Sequence, residues 1–191
     1  MAEAGIDAGV VSNGVYRNKA LAMSCKIPAG WVLRTGEMNA REEDSDVSSG
    51  DAKSSPQGSQ RATGDARPGR VLLAAFSRPP EAHGADVNAS IVIAAESVAA
   101  YPGLKEAAQY FEPLTEVAKA QGFTVDEDPY EIALGAKVLV RGDFHKDVGT
   151  RVMRQSTLAF LSHGYAVSIT VIGGTDDEVE DLVDGVEFVG K

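Results

Sequence analysis

The chain has 191 residues, of which 43% are hydrophobic and 24% are charged, a composition ordinary for a globular protein. Its formal net charge of −10 comes from 28 acidic and 18 basic residues. This balance argues against a nucleic-acid binder, whose affinity depends on Lys and Arg neutralising phosphates, and against docking on anionic lipid. No apolar run approaches the ~18 residues that span a bilayer, so we expect a soluble protein without a membrane span.

The N-terminal residues and the cysteine count say little about the cellular compartment of the protein. Residues 1–13 contain Glu3 and Asp7 and no basic segment followed by an apolar one, so no signal peptide is visible and we expect a flexible tail. A mature chain that had lost its signal segment would look the same, which leaves a periplasmic or envelope location open. The single cysteine, Cys25, excludes an internal disulfide and a Cys-based zinc site.

Residues 39–70 differ in composition from the rest of the chain. Ser, Gly, Pro and mixed charges fill this stretch, and Val47 is its one large apolar side chain. Such a segment cannot bury enough surface to offset an ordering cost of ~1–2 kcal/mol per residue. We therefore predict a disordered insert within a single domain at 14–189, because the part before the insert is too short to fold alone.

Apolar periodicity predicts strands on both sides of a central helix. Strands are predicted at Leu21–Ile27, Trp31–Leu33, Val71–Phe76 and Ser90–Ala95. Apolar residues recur at helical spacing from Gly103 to Gln121, and Pro113 inside that pattern predicts a kink or two abutting helices.

The last third of the chain is predicted to be rich in strands. Ile132 to Val140 indicates one strand bent near Gly135, and Arg151–Leu161 and Tyr165–Val171 form two alternating runs typical of a hairpin. Thr175 and Glu178 have the spacing of a capping box at the start of a terminal helix. Together these elements predict an α+β fold in which helices flank an antiparallel sheet as an α/β/α sandwich.

No motif for a familiar catalytic chemistry is present. The chain lacks a G-x-S-x-G elbow, a P-loop and a G-x-G-x-x-G fingerprint, so neither a cofactor nor a catalytic residue is predicted. Cys25 falls on the apolar side of an alternating strand, which favours an inert core thiol over a nucleophile.

Two groups of residues remain as candidates for a functional site. Asp143, His145 and Asp147 have a spacing that could hold a metal ion on an extended segment, but the bracketing Gly142 and Gly149 favour a polar hairpin loop without metal. The weaker candidates for ligand binding are aromatic or charged residues near predicted element ends: Trp31, Arg78, Glu96, Tyr101 and Arg141.

The two ends of the predicted domain resemble a known superfamily. The segment from Tyr16 through Lys26–Trp31, and the closing Tyr165–Thr170, acidic helix and Val186–Phe188, are similar to the PsbP-like superfamily of PsbP and Mog-type proteins. The resemblance covers 15–38 and 71–189. It implies an α/β/α sandwich, and its members include photosystem accessory subunits, a GTPase-binding factor and bacterial envelope lipoproteins. The matching residues are structural, so no functional residue is transferred from the family.

Two functional hypotheses follow from the sequence. The first is a non-catalytic binding or accessory protein, at a bacterial cell envelope if the resemblance holds, with an unknown protein or small ligand as its partner. The alternative is a metal-dependent protein or enzyme whose site assembles from scattered residues such as Asp143, His145 and Asp147. The sequence leaves the oligomeric state open.

Overall fold

The computed structural model describes residues 9–35, 70–78, 88–98, 103–135, 137–162 and 164–188, without the side chain of Arg70. The predicted disordered insert therefore lies outside the described residues, apart from the backbone of Arg70. Strands hold 57% of the described residues and helices hold 19%, in two antiparallel sheets and two helices.

The strands follow one another in the order β1 (Val10–Ser12), β2 (Val15–Asn18), β3 (Met23–Lys26), β4 (Val32–Leu33), β5 (Arg70–Phe76), β6 (Ser90–Ser97), β7 (Thr124–Leu134), β8 (Lys137–Val148), β9 (Arg151–Ser162), β10 (Tyr165–Gly173) and β11 (Val186–Phe188). The helices are α1 (Ala107–Ala120), before β7, and α2 (Asp176–Asp184), before β11. Neither helix in this described part of the chain is long and apolar enough to cross a membrane.

A seven-stranded sheet forms the centre of the molecule, in the order β4-β5-β6-β10-β9-β8-β7. Its middle is the β9–β10 hairpin that the alternating pattern predicts, with Phe160 opposite Val167 and Leu158 opposite Ile169. Neighbouring residues that point to opposite faces, such as Ala159 and Phe160, are equally buried. Both faces of this sheet must therefore be covered.

Helix α1 covers one face of the large sheet. Tyr110, Phe111 and Ala118 on the helix form a buried cluster with sheet residues that include Val140 and Ala159. The helix is continuous, with Pro113 inside it, so the alternative of two abutting helices is wrong. Apolar spacing alone located this element correctly.

The opposite face is covered by a second sheet together with α2. This sheet has the order β1-β2-β3-β11, and its β1 includes Val10–Ser12 from the segment predicted as a tail. Phe188 of β11 packs edge-to-face on Phe160 of β9, with ring centroids 5.1 Å apart. Met23 and Cys25 of β3 belong to the same buried cluster as Phe160.

The predicted α/β/α sandwich is wrong. The described residues are mostly antiparallel sheet, and the second face is closed by a four-stranded sheet with one short helix rather than by a layer of helices. The physical reason is a long-range pairing, in which Cys25 of β3 lies opposite Val186 of β11. Backbone pairing between strands so distant in sequence leaves no local periodic signal.

The single bent strand predicted from Ile132 to Val140 is also wrong, because β7 and β8 form a tight hairpin there. Leu134 pairs with Lys137, and Gly135 in the turn has φ +62, which favours glycine. A Cβ on Gly135 would also lie 2.6 Å from the carbonyl oxygen of Phe188. Close packing against β11 therefore adds a second requirement for glycine.

The start of α2 follows the predicted capping pattern with one difference. The Thr175 hydroxyl accepts a hydrogen bond from the Glu178 N–H at 3.1 Å, as an N-cap should. The Glu178 carboxylate accepts from the N–H of Gly174 at 2.7 Å, one residue earlier than in a standard capping box. Val179, Leu182 and Val183 form the buried side of the helix.

We expect the buried side of α2 to contribute more to the free energy of unfolding than its N-cap does. Leu182→Ala should lower the free energy of unfolding by about 2–5 kcal/mol, because Leu182 is buried and its truncation leaves a cavity. Thr175→Ala should lower it by about 0.5–2 kcal/mol through loss of one cap hydrogen bond. Urea unfolding of both variants measures the difference, and equal, negligible effects would show that α2 is not docked on the sheet.

Cys25 should react slowly in the native protein. Its side chain is fully buried, and burial raises the pKa of the thiol to about 12, so almost no thiolate exists at neutral pH. Labelling with a chromogenic disulfide reagent should be slow in buffer and should reach one equivalent in denaturant. Rapid labelling of the folded protein would contradict the core position.

Candidate functional site

The structure disperses the residues proposed from sequence for ligand binding. Trp31 is half-buried against the core beside β4, and Glu96 in β6 accepts a hydrogen bond from the hydroxyl of Tyr110. Arg78 follows β5, and Tyr101 lies outside the described residues. Arg141 lies in β8 on the face opposite to Glu96. The ligand-binding role of these residues stays a prediction, and the described ones do not form a common site.

The predicted polar loop at Asp143–Asp147 is wrong, because this segment is regular strand. Asp143, His145 and Asp147 of β8 lie opposite Ser156, Arg154 and Val152 of β9, and the turn comes later, at Gly149 and Thr150. The alternation of a strand places the three side chains on one face. The loop prediction failed because polar residues on a partly exposed strand resemble loop composition.

Asp143 and His145 have different partners. His145 Nδ1 contacts a carboxylate oxygen of Asp126 in β7, whereas Asp143 belongs to a separate network described below. Within the described ranges no three His, Cys, Asp or Glu side chains are grouped so that they could hold a metal ion. The metal-dependent alternative gains no support from this geometry.

A buried guanidinium, that of Arg141, joins β8 to β9 and α2. Its Nε donates to Asp143 Oδ1 at 2.9 Å, and its Nη2 donates to Ser156 Oγ at 3.1 Å. Its Nη1 donates to Glu180 Oε2 on α2 at 3.2 Å, and Nη2 donates to the other oxygen of that carboxylate. Tyr130 of β7 donates its hydroxyl to Asp143 Oδ2 at 2.6 Å. Four elements therefore meet at one charge cluster.

The charges of this cluster stabilise one another. Burial alone would raise the pKa of Asp143, but hydrogen bonds from Ser156, Tyr130 and Arg141, with the charge of Arg141, hold it below its usual value. Burial would lower the pKa of Arg141, and its bonds to Glu180 and Asp143 raise it instead. Burial and the bond to Asp143 raise the pKa of the Tyr130 phenol. The Asp143 carboxylate is therefore held ionised by three donors.

A cleft opens on the other face of the sheet, between α1 and the β7–β8 hairpin. Its volume is about 530 Å³. Its floor is apolar and consists mainly of Phe123, Val125, Gly142 and Phe144, of which both phenylalanines are buried.

The rim of the cleft is polar. On the helix side it carries Thr115 and Lys119, and on the strand side it carries Thr124, Glu127 and Asp128. The described lining contains no Cys, Ser or His. An apolar floor with a few polar groups at the rim is the common form of a small-molecule site.

Irregularities in β7 lie beside the cleft. The pairing of β7 with β8 shifts register between Val125 and Glu127 and again between Glu127 and Tyr130. Pro129, within the second shift, has no N–H to donate to a ladder. A Cβ on Gly142 would lie 2.5 Å from Phe111 Cε1, so glycine is what allows α1 to approach β8. A proline within an acidic strand, and a glycine within β8, were the available sequence signals for this site.

The ion pair of Asp143 predicts a specific pH dependence. Asp143→Asn should lower the free energy of unfolding at neutral pH by about 1–3 kcal/mol, because it removes an ionised acceptor that three groups share. The folded pKa of Asp143 is depressed, so its stabilisation is present above the unfolded value of ~3.9 and is lost as pH falls through the lower folded value.

The difference in free energy of unfolding between wild type and Asp143→Asn should therefore shrink below about pH 4. Denaturant titrations at several pH values measure it. The matched control is Asp147→Asn, an exposed residue on the same face of β8, which should change stability by less than about 0.5 kcal/mol. A difference between wild type and Asp143→Asn that does not vary with pH would contradict the ion-pair role.

Comparison with known proteins gives no family. No protein-family model matches the chain, and no curated protein matches it, so the resemblance to the PsbP-like superfamily is not confirmed.

Several solved structures are similar at low identity. PA94 from Pseudomonas aeruginosa, a protein of unknown function, is 15% identical with a TM-score of 0.41, over 68% of this chain and 87% of that one. LpqN, involved in cell envelope biogenesis of Mycobacterium tuberculosis, is 13% identical with a TM-score of 0.39, over 88% and 83%. A protein from Bacteroides thetaiotaomicron is 10% identical with a TM-score of 0.40, over 89% of this chain and 46% of that one. At these TM-scores the similarities carry no inference about function.

Proposed function

We propose that this protein is a non-catalytic binding protein, and that the cleft between α1 and the β7–β8 hairpin holds a small organic ligand. The observation that carries the proposal is the cleft itself, whose volume of about 530 Å³ lies within the ~300–1,000 Å³ typical of ligand sites. An apolar floor would bury the body of a ligand, and the polar rim would orient it.

The surroundings of the cleft favour a preformed site. Phe144 and Phe123 are 2% and 7% exposed, and the same buried cluster contains Phe111 from α1. Side chains packed in this way lose little further conformational freedom when a ligand binds, which lowers the cost of binding. The site needs no large rearrangement.

The other polar cluster is less suited to a ligand. Arg141 and Asp143 are already paired with each other and with Ser156, Tyr130 and Glu180. A ligand there would have to displace existing charge-assisted bonds, each worth roughly 1.5–3 kcal/mol. We therefore assign the Arg141 cluster to docking of α2 and the cleft to binding.

A blocked cleft provides the test. A library of small fragments is screened by NMR, with backbone amide shifts of Phe123–Asp128 as the readout. Thr115→Trp, at a half-buried position of α1 on the helix side of the rim, should abolish binding by filling the cleft, while the unfolding midpoint stays near that of wild type. Thr150→Trp is the matched control, because Thr150 is exposed in the β8–β9 turn and does not line the cleft.

The proposal fails under two results. One is a screen in which no fragment shifts the cleft amides. The other is a set of hits that bind Thr115→Trp as tightly as wild type, since binding would then occur elsewhere. An accessory role at a bacterial envelope, implied by the sequence resemblance, stays a prediction that the cleft does not address.

A further inference from the structure

We propose that Asn13 is a site of spontaneous covalent modification, at which the side-chain amide is lost and the backbone rearranges in part to isoaspartate. Asn13 and Gly14 form the turn between β1 and β2, and both are exposed. The reaction consumes water and needs no enzyme or cofactor. It is independent of the cleft and of the proposed binding function.

The β1–β2 turn has the conformation that Asn-Gly pairs favour. Ser12 of β1 lies opposite Val15 of β2, so the loop between them has two residues. Both of these residues have positive φ, with +52 at Asn13 and +74 at Gly14, as a type I′ turn requires. Glycine at the second position permits this turn, and it also leaves no Cβ beside the reacting amide.

The two groups that react form no hydrogen bonds within the part of the chain that the structure describes. The side-chain amide of Asn13 has no hydrogen-bond partner there, and the N–H of Gly14 donates to no carbonyl. The carbonyl of Gly14, by contrast, accepts from the N–H of Ile27 at 2.8 Å. The reaction therefore breaks no existing hydrogen bond of the reacting groups.

The other asparagines of the chain lack this combination. The chain has four, and the first alone precedes a glycine: Asn13, Asn18, Asn39 and Asn88. Asn18 is 1% exposed, and both ends of its side-chain amide are hydrogen-bonded. The Asn88 side chain accepts from the N–H of Arg78 at 3.1 Å and donates to its carbonyl at 3.0 Å. Asn39 lies outside the described residues. Sequence and structure together therefore single out Asn13.

The chemistry proceeds through a cyclic imide. The backbone nitrogen of Gly14 attacks Cγ of Asn13, forms a new C–N bond, loses its proton and expels ammonia, which leaves a five-membered succinimide ring. Water then opens the ring at one of its two carbonyls. Cleavage of the new bond gives aspartate, and cleavage of the original peptide bond gives isoaspartate, in which the backbone runs through the former side chain. Each product carries an added negative charge.

Local opening of β1 gives the reaction access to the required geometry. Ring closure needs a backbone conformation at Asn13 that differs from the type I′ turn. All three residues of β1 are exposed, and β1 is the edge strand of the four-stranded sheet, paired with β2. A short strand with little buried surface opens at a low free-energy cost. The turn is therefore held weakly enough to react in the folded protein.

The two products affect the hairpin differently. Aspartate at position 13 fits the turn, since Asp-Gly pairs also favour type I′. Isoaspartate adds a backbone carbon to a two-residue loop, so that the register of Val10 and Val11 against β2 cannot be kept. The seven-stranded sheet shares no strand with this hairpin. Formation of isoaspartate therefore releases β1 and leaves the large sheet in place.

Ageing of the purified full chain tests the proposal. The protein is held in mildly alkaline buffer at body temperature, and modification is followed by peptide mass spectrometry in isotopically heavy water. An isoaspartate methyltransferase reports the rearranged product. We expect Asn13 to be modified about tenfold faster than Asn18 or Asn88, whose side chains are held by hydrogen bonds. Modification of Asn13 at the same rate as these two would overturn the proposal.

Asn13→Gly is the matched variant, because Gly-Gly also fits a type I′ turn and has no side chain that can react. Backbone amide signals of Val10–Ser12 are compared by NMR before and after ageing. Wild type should lose these signals in proportion to its isoaspartate content, and the variant should keep them. Isoaspartate at Asn13 with unchanged β1 signals would contradict the release of β1. Equal loss of signal in the variant would show that another event opens the hairpin, which also contradicts the proposal.

Discussion

Burial of both faces of the central β9–β10 hairpin is the constraint on which the rest of the structure depends. Ala159 and Phe160 point to opposite faces and both are almost fully buried, so each face needs its own cover. Each large apolar side chain contributes roughly 1.5–3 kcal/mol when it leaves water, which makes an uncovered face costly. One face is covered by α1. The other face is covered by segments from both ends of the described chain, because β3 near the start pairs with β11 near the end to form the covering sheet.

The Arg141 cluster lies on that second face, beside the helix that helps to cover it. A guanidinium as buried as this one would be strongly destabilising without partners. Asp143, Ser156 and Glu180 supply those partners from β8, β9 and α2, so the ion pairs define where α2 docks rather than adding a large net stability. Glu180 is half exposed, which further limits the free energy that its ion pair contributes.

The outer edge of the large sheet carries the feature that we connect with function. An edge strand presents unpaired backbone groups that can pair with another chain, and proteins discourage this with charges, prolines and bulges. Strand β7 has all three, in Asp126, Glu127, Asp128, Pro129 and the two register shifts. The cleft lies beside these irregularities, between β7 and α1. The features that protect the edge and the cleft that we propose as a ligand site therefore involve the same part of β7.

The sequence by itself determined the elements whose signals are local. The alternation along β9 and β10, the apolar spacing of α1, the Thr175 cap and the core position of Cys25 follow from periods of two and 3.6 residues and from short-range hydrogen bonds. Only the tertiary structure decided that β3 pairs with β11, that Asp143 lies in a strand beside Arg141, and that α1 leaves a cleft against β7. These features depend on contacts between residues far apart in sequence. Because strand pairing and partners for buried charges are chosen across that distance, no pattern within a short window of sequence specifies them.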